Sequence, residues 1–215
     1  MPRKGSSTSA NDALNAQRRI KRELMEYQRS DGDKALYYIE TVNDDVCDLK
    51  GHIYGPPDSP FAGGIFKLEV KIPNAYPFTP PKVKFTTRLW HPNVSSQTGT
   101  ICLDILKDQW AASLTLRTVM LSLQALLTSP EPDDPQDAVV ARQYKQTPAL
   151  YKETAAYWTY AFATEQQNPA AGKKFEAFDG KIQEVVSRMR CDRSAALAAL
   201  SWNDWDVGSA VRNLS

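Results

Sequence analysis

Cysteine is scarce in this 215-residue chain: Cys47, Cys102 and Cys191 are the only three. They are odd in number and widely spaced, with no Cys-x-x-Cys pair, so neither a disulfide framework nor a zinc site fits. Such usage suits a reducing compartment, the cytosol or the nucleus. Histidine is scarcer, with His52 and His91 alone. A cysteine protease would have to use one of them as its base. His52 lies inside a strand pattern, and His91 precedes Pro92, which favours a fixed, extended backbone over a mobile base. No Gly-x-x-x-x-Gly-Lys-[Ser/Thr] loop is present, which removes ATP binding through a P-loop. No apolar run approaches ~20 residues, so no membrane span is expected. The first nine residues carry charge without an apolar core and do not read as a secretory signal. Excess charge of one sign is also missing: the formal net charge is +1, which predicts no general affinity for nucleic acid or anionic membrane.

What is present is ordinary for a globular protein, 42% hydrophobic and 24% charged residues, in a chain long enough for one full domain and a second small one. Residues 1–10 read as a disordered tail. Ala13, Ala16, Ile20, Leu24 and Tyr27 then recur at helical spacing, with Asn11 or Asp12 available as a cap. Short strand patterns follow at 37–42, 49–54, 66–72 and 82–86, separated by proline- and glycine-rich turns. Phe66-Lys67-Leu68-Glu69-Val70-Lys71-Ile72 alternates without a fault, one face buried and one wet. Sequential short strands joined by turns predict an antiparallel meander. Beyond Cys102 the period switches to helical: Leu116, Val119, Met120, Leu123, Leu126 and Leu127 after a Thr115 cap, stopped by Ser129-Pro130-Glu131-Pro132-Asp133-Asp134-Pro135. Helices are predicted over 136–144 and 147–163. The expected class is α+β: an N-terminal helix, a four-stranded antiparallel meander and C-terminal helices spanning 11–164. Residues 165–174 read as a linker. Residues 175–215 carry three short helical patterns, the usual solution for so small a domain.

One block carries chemistry. His91-Pro92-Asn93 is followed nine positions later by Cys102 in Thr98-Gly99-Thr100-Ile101-Cys102-Leu103-Asp104. A thiol beside an amide donor in a polar, glycine-bearing loop is what thioester chemistry needs: a nucleophile, and a donor where oxyanion charge develops. A chain without a P-loop must receive its acyl group already activated. Together with Tyr76-Pro77-Phe78-x-Pro80-Pro81, Gln109-Trp110 and Pro132-Asp133-Asp134-Pro135, the block resembles the ubiquitin-conjugating enzymes. The extra C-terminal segment further resembles the subgroup with a ubiquitin-associated domain.

That resemblance implies residue roles. Cys102 would hold ubiquitin as a thioester. Asn93 would stabilise the oxyanion formed when a lysine attacks, or brace its loop. Asp134 would orient the lysine, with proton acceptance as a second role; otherwise it caps the following helix. His91 and Pro92 would be structural. The sequence itself places no cation beside Cys102. On the first helix, Arg18, Arg19, Lys21 and Arg22 would dock the activating enzyme. Phe78, Ala112 and Ser113 would contact RING or HECT-type ligases, although the family's usual Ser-Pro-Ala is here Ala111-Ala112-Ser113 and the Phe78 ring could equally plug the core. Thr98 and Gln136 flank the expected acceptor approach and are candidates for lysine selection. Met189 and Leu214 are candidates for ubiquitin contact in the C-terminal domain. There the usual Met-Gly-Phe or Tyr is replaced by Met189-Arg190-Cys191, and the usual double leucine by Asn213-Leu214, changes expected to weaken ubiquitin binding.

The implied activity is transthiolation onto Cys102 and aminolysis by a lysine, building polyubiquitin, with no metal and no cofactor. Implied partners are ubiquitin, the activating enzyme, ligases and protein substrates, with no nucleic acid and no membrane; the expected state is a monomer. Two other readings stay open: conjugation of a different ubiquitin-like modifier, and a scaffold that keeps the fold without the chemistry.

Overall fold

The computed structural model describes residues 6–164 and 172–215. Helix α1 (Ser6–Gln28) opens the chain, and a single turn, α2 (Asp31–Lys34), leads into the sheet. Residues 6–10, expected in the tail, are helical: once a helix is nucleated, each added residue gains a hydrogen bond for the one residue it fixes. Residues 1–5 of that tail lie outside the described residues. Ala16 and Ile20 are fully buried and Tyr27 nearly so, the stripe that the spacing predicts.

Strands β1 (Tyr37–Val42), β2 (Asp45–Tyr54), β3 (Ile65–Lys71) and β4 (Lys82–Phe85) form one antiparallel sheet in sequence order. The register pairs Tyr37 with Ile53, Gly51 with Leu68 and Val70 with Val83. Phe66, Leu68 and Val70 are buried, while Lys67, Glu69 and Lys71 face water, as the alternation requires. The exposed face carries cross-strand ion pairs, Lys50–Glu40 at 3.1 Å and Lys71–Asp48 at 2.6 Å. Strand β2 begins four residues before the predicted run, because pairing with β1 and β3 extends it through the polar segment.

Helices α3 (Leu116–Leu126), α4 (Ala138–Gln146) and α5 (Pro148–Phe162) complete the first domain. Thr115 caps α3, its side chain accepting from Thr118 N; Leu116, Val119, Met120, Leu123 and Leu126 are buried. Helix α4 starts two residues later than predicted, because the Asp137 carboxylate accepts from Val140 N and takes the cap position. The described part of the linker, residues 172–174, turns directly into α6 (Glu176–Met189); residues 165–171 lie outside the described residues. With α7 (Arg193–Trp202) and α8 (Val207–Leu214), α6 forms the three-helix bundle. Asp192 and Asp206 cap α7 and α8.

Candidate active site

The His91-Pro92-Asn93 block is tied down through main-chain groups. His91 is fully buried. Its Nε2 lies 2.8 Å from the Leu126 carbonyl at the end of α3, and its Nδ1 accepts from Asn93 N at 3.0 Å. Nε2 therefore carries the proton, and burial holds the imidazole neutral, pushed down to about 4. The Pro92 carbonyl accepts from Gln136 N and Asp137 N, both at 2.9 Å. Asn93 Nδ2 donates to the carbonyls of Glu131 (2.9 Å) and Asp134 (3.0 Å), and its Oδ1 accepts from Glu131 N at 2.8 Å. Both Nδ2 protons are thus engaged, and the side chain clasps the loop after α3. Ser96 adds a second clasp, donating from Oγ to Asp137 Oδ2 at 2.6 Å.

Cys102 stands at the end of this block, with its N–H donating to the Asn93 carbonyl at 2.8 Å. Gly99 permits the approach. It has φ +72°, and a Cβ there would lie 1.9 Å from the Phe85 carbonyl oxygen, so only glycine lets the loop close on β4. Cys102 is 7% exposed and opens into a groove of about 540 Å³ lined by Asn93, Asp104, Ser122, Glu131, Asp133 and Asp134 among others. Its Sγ lies 3.3 Å from Asp134 Oδ2. Asp134 is exposed and Asp137 is the cap of α4, so the helix-capping alternative for Asp134 falls away. Contrary to the sequence reading, a cation is present: Lys107 Nζ donates to Sγ at 3.1 Å. A 3₁₀ turn at Asp104–Leu106 brings it back, and the Cys102 sulfur and its charge push the Lys107 ammonium above its ordinary range. The one signal for this in the sequence was an aspartate two residues after the cysteine, a turn-opening residue, with a lysine three further on.

The remaining candidates are spread over the surface. Arg18, Lys21 and Arg22 are exposed on α1. Arg19 is not part of that face. It turns inward to Glu23 at 2.6 Å and to the Leu114 carbonyl at 3.3 Å, because Glu23 is buried and also accepts from Tyr76 Oη and Leu116 N. Phe78 is 83% exposed, which rules out a core plug. Trp110 Nε1 donates to the Pro77 carbonyl at 2.7 Å, joining the proline loop to the segment that carries Ala112 and Ser113. Thr98 and Gln136 are exposed, Thr98 in the turn that precedes Cys102 and Gln136 in the loop after α3, where its N–H donates to the Pro92 carbonyl. Met189 and Leu214 are half-buried against the bundle core. Arg190 occupies the left-handed conformation at the end of α6, φ +51°, the backbone geometry that the family's glycine supplies.

Sequence reasoning missed how the bundle is held. Trp158 Nε1 donates to Ser201 Oγ and Trp205 Nε1 to Thr154 Oγ1, both at 2.9 Å. Asp204 accepts from Arg142 at 3.1 Å and from Gln143 at 2.9 Å, and Gln143 in turn accepts from Trp90 Nε1 at 2.8 Å. Arg88 lies over the rings of Trp158 and Phe162, 4.8 and 4.7 Å from their centroids, and donates to Ser194.

The sequence profile of the ubiquitin-conjugating enzyme family matches residues 19–159. The chain is 51% identical to ubiquitin-conjugating enzyme E2 K of Homo sapiens over 200 residues, 93% of this chain and 96% of that protein. It is 52% identical to the Drosophila melanogaster ubiquitin-conjugating enzyme E2-22 kDa over 197 residues, 91% and 96% of the two chains. Among solved structures, the E2 domain of a Toxoplasma gondii ubiquitin conjugating enzyme superposes with a TM-score of 0.64 at 46% identity, covering 69% of this chain and 99% of that one. The family match over residues 19–159, this extent of identity and the shared fold make the chain a member of the ubiquitin-conjugating enzymes, transferases that work through a thioester intermediate.

Proposed function

We propose that Cys102 is the thioester carrier and that the loop 131–136, clasped by Asn93, forms the acceptor side of the site. The observation that carries this reading is the convergence on one sulfur of Asp134 at 3.3 Å and Lys107 at 3.1 Å, at the head of an open groove. In aminolysis the lysine nitrogen attacks the thioester carbonyl. The tetrahedral oxyanion then collapses with cleavage of the carbon–sulfur bond; Cys102 leaves as thiolate, and the nitrogen gives up its extra proton to water or to Asp134. An acceptor lysine near its ordinary value of ~10.4 is almost wholly protonated at neutral pH, and bringing it down ~3 units takes about 4 kcal/mol. A carboxylate favours the ammonium, so Asp134 works by orienting the amine; desolvation by the bound modifier supplies the rest. Asn93 acts first through the loop. With both Nδ2 protons engaged, donating one to the oxyanion requires release of the Glu131 or the Asp134 carbonyl.

Arg18, Lys21 and Arg22 form the basic face that we assign to the activating enzyme, and Phe78, Ala112 and Ser113 the surface assigned to RING or HECT-type ligases. To Thr98 and Gln136 we assign selection of the acceptor lysine, and polyubiquitin is the product we infer. Weak ubiquitin contact is assigned to Met189 and Leu214. All three cysteines are free, which fits action in the reducing cytosol or nucleus. The test is to mix the protein with activating enzyme, ATP and ubiquitin and compare reducing with non-reducing gels. A species one ubiquitin heavier should form, vanish with reductant and be absent in Cys102→Ala. No such species from the folded wild type, or its persistence in Cys102→Ala, overturns the assignment.

A further inference from the structure

Cys102 opens into an acidic groove. Asp104, Glu131, Asp133 and Asp134 all line it, and each carboxylate disfavours negative charge on the sulfur. Yet the thiolate, not the thiol, is the nucleophile. Among the described residues, Lys107 is the one cation whose contact with Sγ opposes them, at 3.1 Å. Lys145 stands near the same loop but is engaged by Asp133 at 2.5 Å. The approach of Lys107 is built into the backbone. Asp104 Oδ1 accepts from Ile105 N at 2.7 Å, Leu106 N donates to the Leu103 carbonyl at 3.0 Å, and Lys107 N and Gln109 N donate to the Asp104 carbonyl at 2.9 and 3.1 Å. The turn therefore returns the lysine to the cysteine within five residues. Lys107 stays firmly cationic, its ammonium favoured by Cys102 and further by Asp134 and Asp108.

The two contacts to sulfur describe two protonation states. As a thiol, Cys102 donates to Asp134; as a thiolate, it accepts from Lys107. We propose that Lys107 is a catalytic residue of the loading step, its ammonium beside Sγ favouring the nucleophilic thiolate against the surrounding carboxylates. This rests on the assignment of Cys102 as the carrier. In loading, the Cys102 thiolate attacks the thioester carbonyl carbon. The new carbon–sulfur bond forms as the bond to the activating enzyme's sulfur breaks, and that sulfur departs as a thiolate. One anion replaces another and no proton is transferred. The loaded sulfur is neutral, so Lys107 has no counter-anion until the thiolate departs again. Its contribution thus falls first on loading; in discharge the lysine attacks while the sulfur is still neutral, and Lys107 meets only the thiolate that leaves afterwards.

The test follows alkylation of Cys102 by iodoacetamide in the full chain, read by mass spectrometry of its peptide, in wild type, Lys107→Ala and Lys107→Arg. At pH 7 Lys107→Ala should react roughly fivefold more slowly, the size expected of one partly exposed ion pair. Lys107→Arg should restore most of the rate, and all three should converge near pH ~10, where a free thiol (pKa ~8.5) is ionised in any case. Loading from limiting activating enzyme should fall by the same factor in Lys107→Ala, while single-turnover discharge of preloaded enzyme to free lysine stays within about twofold. Alkylation of Lys107→Ala at the wild-type rate at pH 7 overturns the proposal. So does a deficit that persists undiminished at pH ~10, which would assign Lys107 to packing. Alkylation needs no ubiquitin, so the expected alkylation pattern in a protein that never forms the ubiquitin thioester would uphold the action of Lys107 on the Cys102 sulfur while overturning the carrier assignment and, with it, the role in loading.

Discussion

The loop around His91 and the C-terminal bundle are both fastened to the same core, but by different means. His91, Pro92 and Asn93 bind main-chain groups: the Leu126 carbonyl, the Gln136 and Asp137 amides, and the Glu131 and Asp134 carbonyls. The bundle is fastened by side chain to side chain, through Trp158–Ser201, Trp205–Thr154, Gln143–Asp204 and Arg88–Ser194. Main-chain partners exist whatever the partner residue is, so the burden of specificity falls on one short motif. Side-chain partners require both residues, so the specificity is divided among many positions far apart in the chain. The first kind of fastening can be read in three letters; the second cannot. The same contrast says where damage should spread. Loss of a main-chain clasp should disturb the catalytic loop, and loss of a side-chain clasp should release the bundle and leave the chemistry intact.

The largest effect expected under this contrast is Trp205→Ala. Trp205 is 2% exposed, stacked on Phe178 with centroids 3.9 Å apart and set edge-on to Tyr157 at 5.6 Å. Truncating so buried an indole costs about 3–5 kcal/mol, close to all that a three-helix domain of this size commands. Calorimetry should then show the bundle melting in a separate, lower transition, with the transition of the catalytic domain and formation of the Cys102 thioester retained. Loss of thioester formation together with the bundle would break the comparison, because the side-chain clasps would then be supporting the catalytic loop as well.

Acid should act on the other region. Burial holds His91 at about 4, against ~6.5 in the unfolded chain. Between those values the unfolded chain binds a proton that the folded chain excludes, so stability falls as pH falls. The loss begins below pH ~6.5 and approaches about 3 kcal/mol as the folded value is reached. His91→Gln has no such titration. Urea unfolding at pH 7, 5.5 and 4.5 should therefore show the stability gap between wild type and His91→Gln narrowing as the pH drops. A gap constant across that range would mean that the His91 imidazole is not held neutral by the loop.

Most of the fold was legible because periodicity reports burial directly. The alternation in β3 and the stripe on α3 set their inward faces, and Phe66, Leu68, Val70, Val119 and Leu123 are buried as those patterns require. The order of strands followed from the turns between them. Cys102 and Asn93 were legible as a thiol and an amide in one polar block, Asp134 only through the resemblance to the family, and the structure brings Asp134 to the sulfur. What escaped were contacts that depend on which way a long side chain turns. Arg19 has the same local pattern as Arg18 and Lys21, yet it points inward because Glu23, one turn on, is buried. Lys107 looks like any exposed lysine until the Asp104–Leu106 turn folds it back. Trp202, Asp204 and Ser194 find partners more than 60 positions away, which no local pattern encodes. Phe78 was ambiguous for the opposite reason: an apolar ring on a proline loop suits core and partner surface equally, and only its 83% exposure decides.

The smallest effect expected is a gain, and it isolates one backbone position. Arg190 ends α6 at φ +51°, with its N–H donating to the Val186 carbonyl and its side chain exposed. A residue with a Cβ in this conformation costs about 1 kcal/mol or somewhat more, through the clash with the following carbonyl. Glycine removes that clash but enlarges the conformational freedom of the unfolded chain, which gives back part of the gain. Arg190→Gly should therefore stabilise the bundle by about 0.5–1 kcal/mol, visible as slower hydrogen exchange at Ile182 and Val185 in the centre of α6. Exchange at Leu68 and Val70 in the central sheet should not change, because among the described residues no clasp between the two regions involves Arg190. An equal gain in the sheet would show that the side-chain clasps couple the bundle and the catalytic core into one cooperative unit, and the division drawn between the two regions would have to be withdrawn.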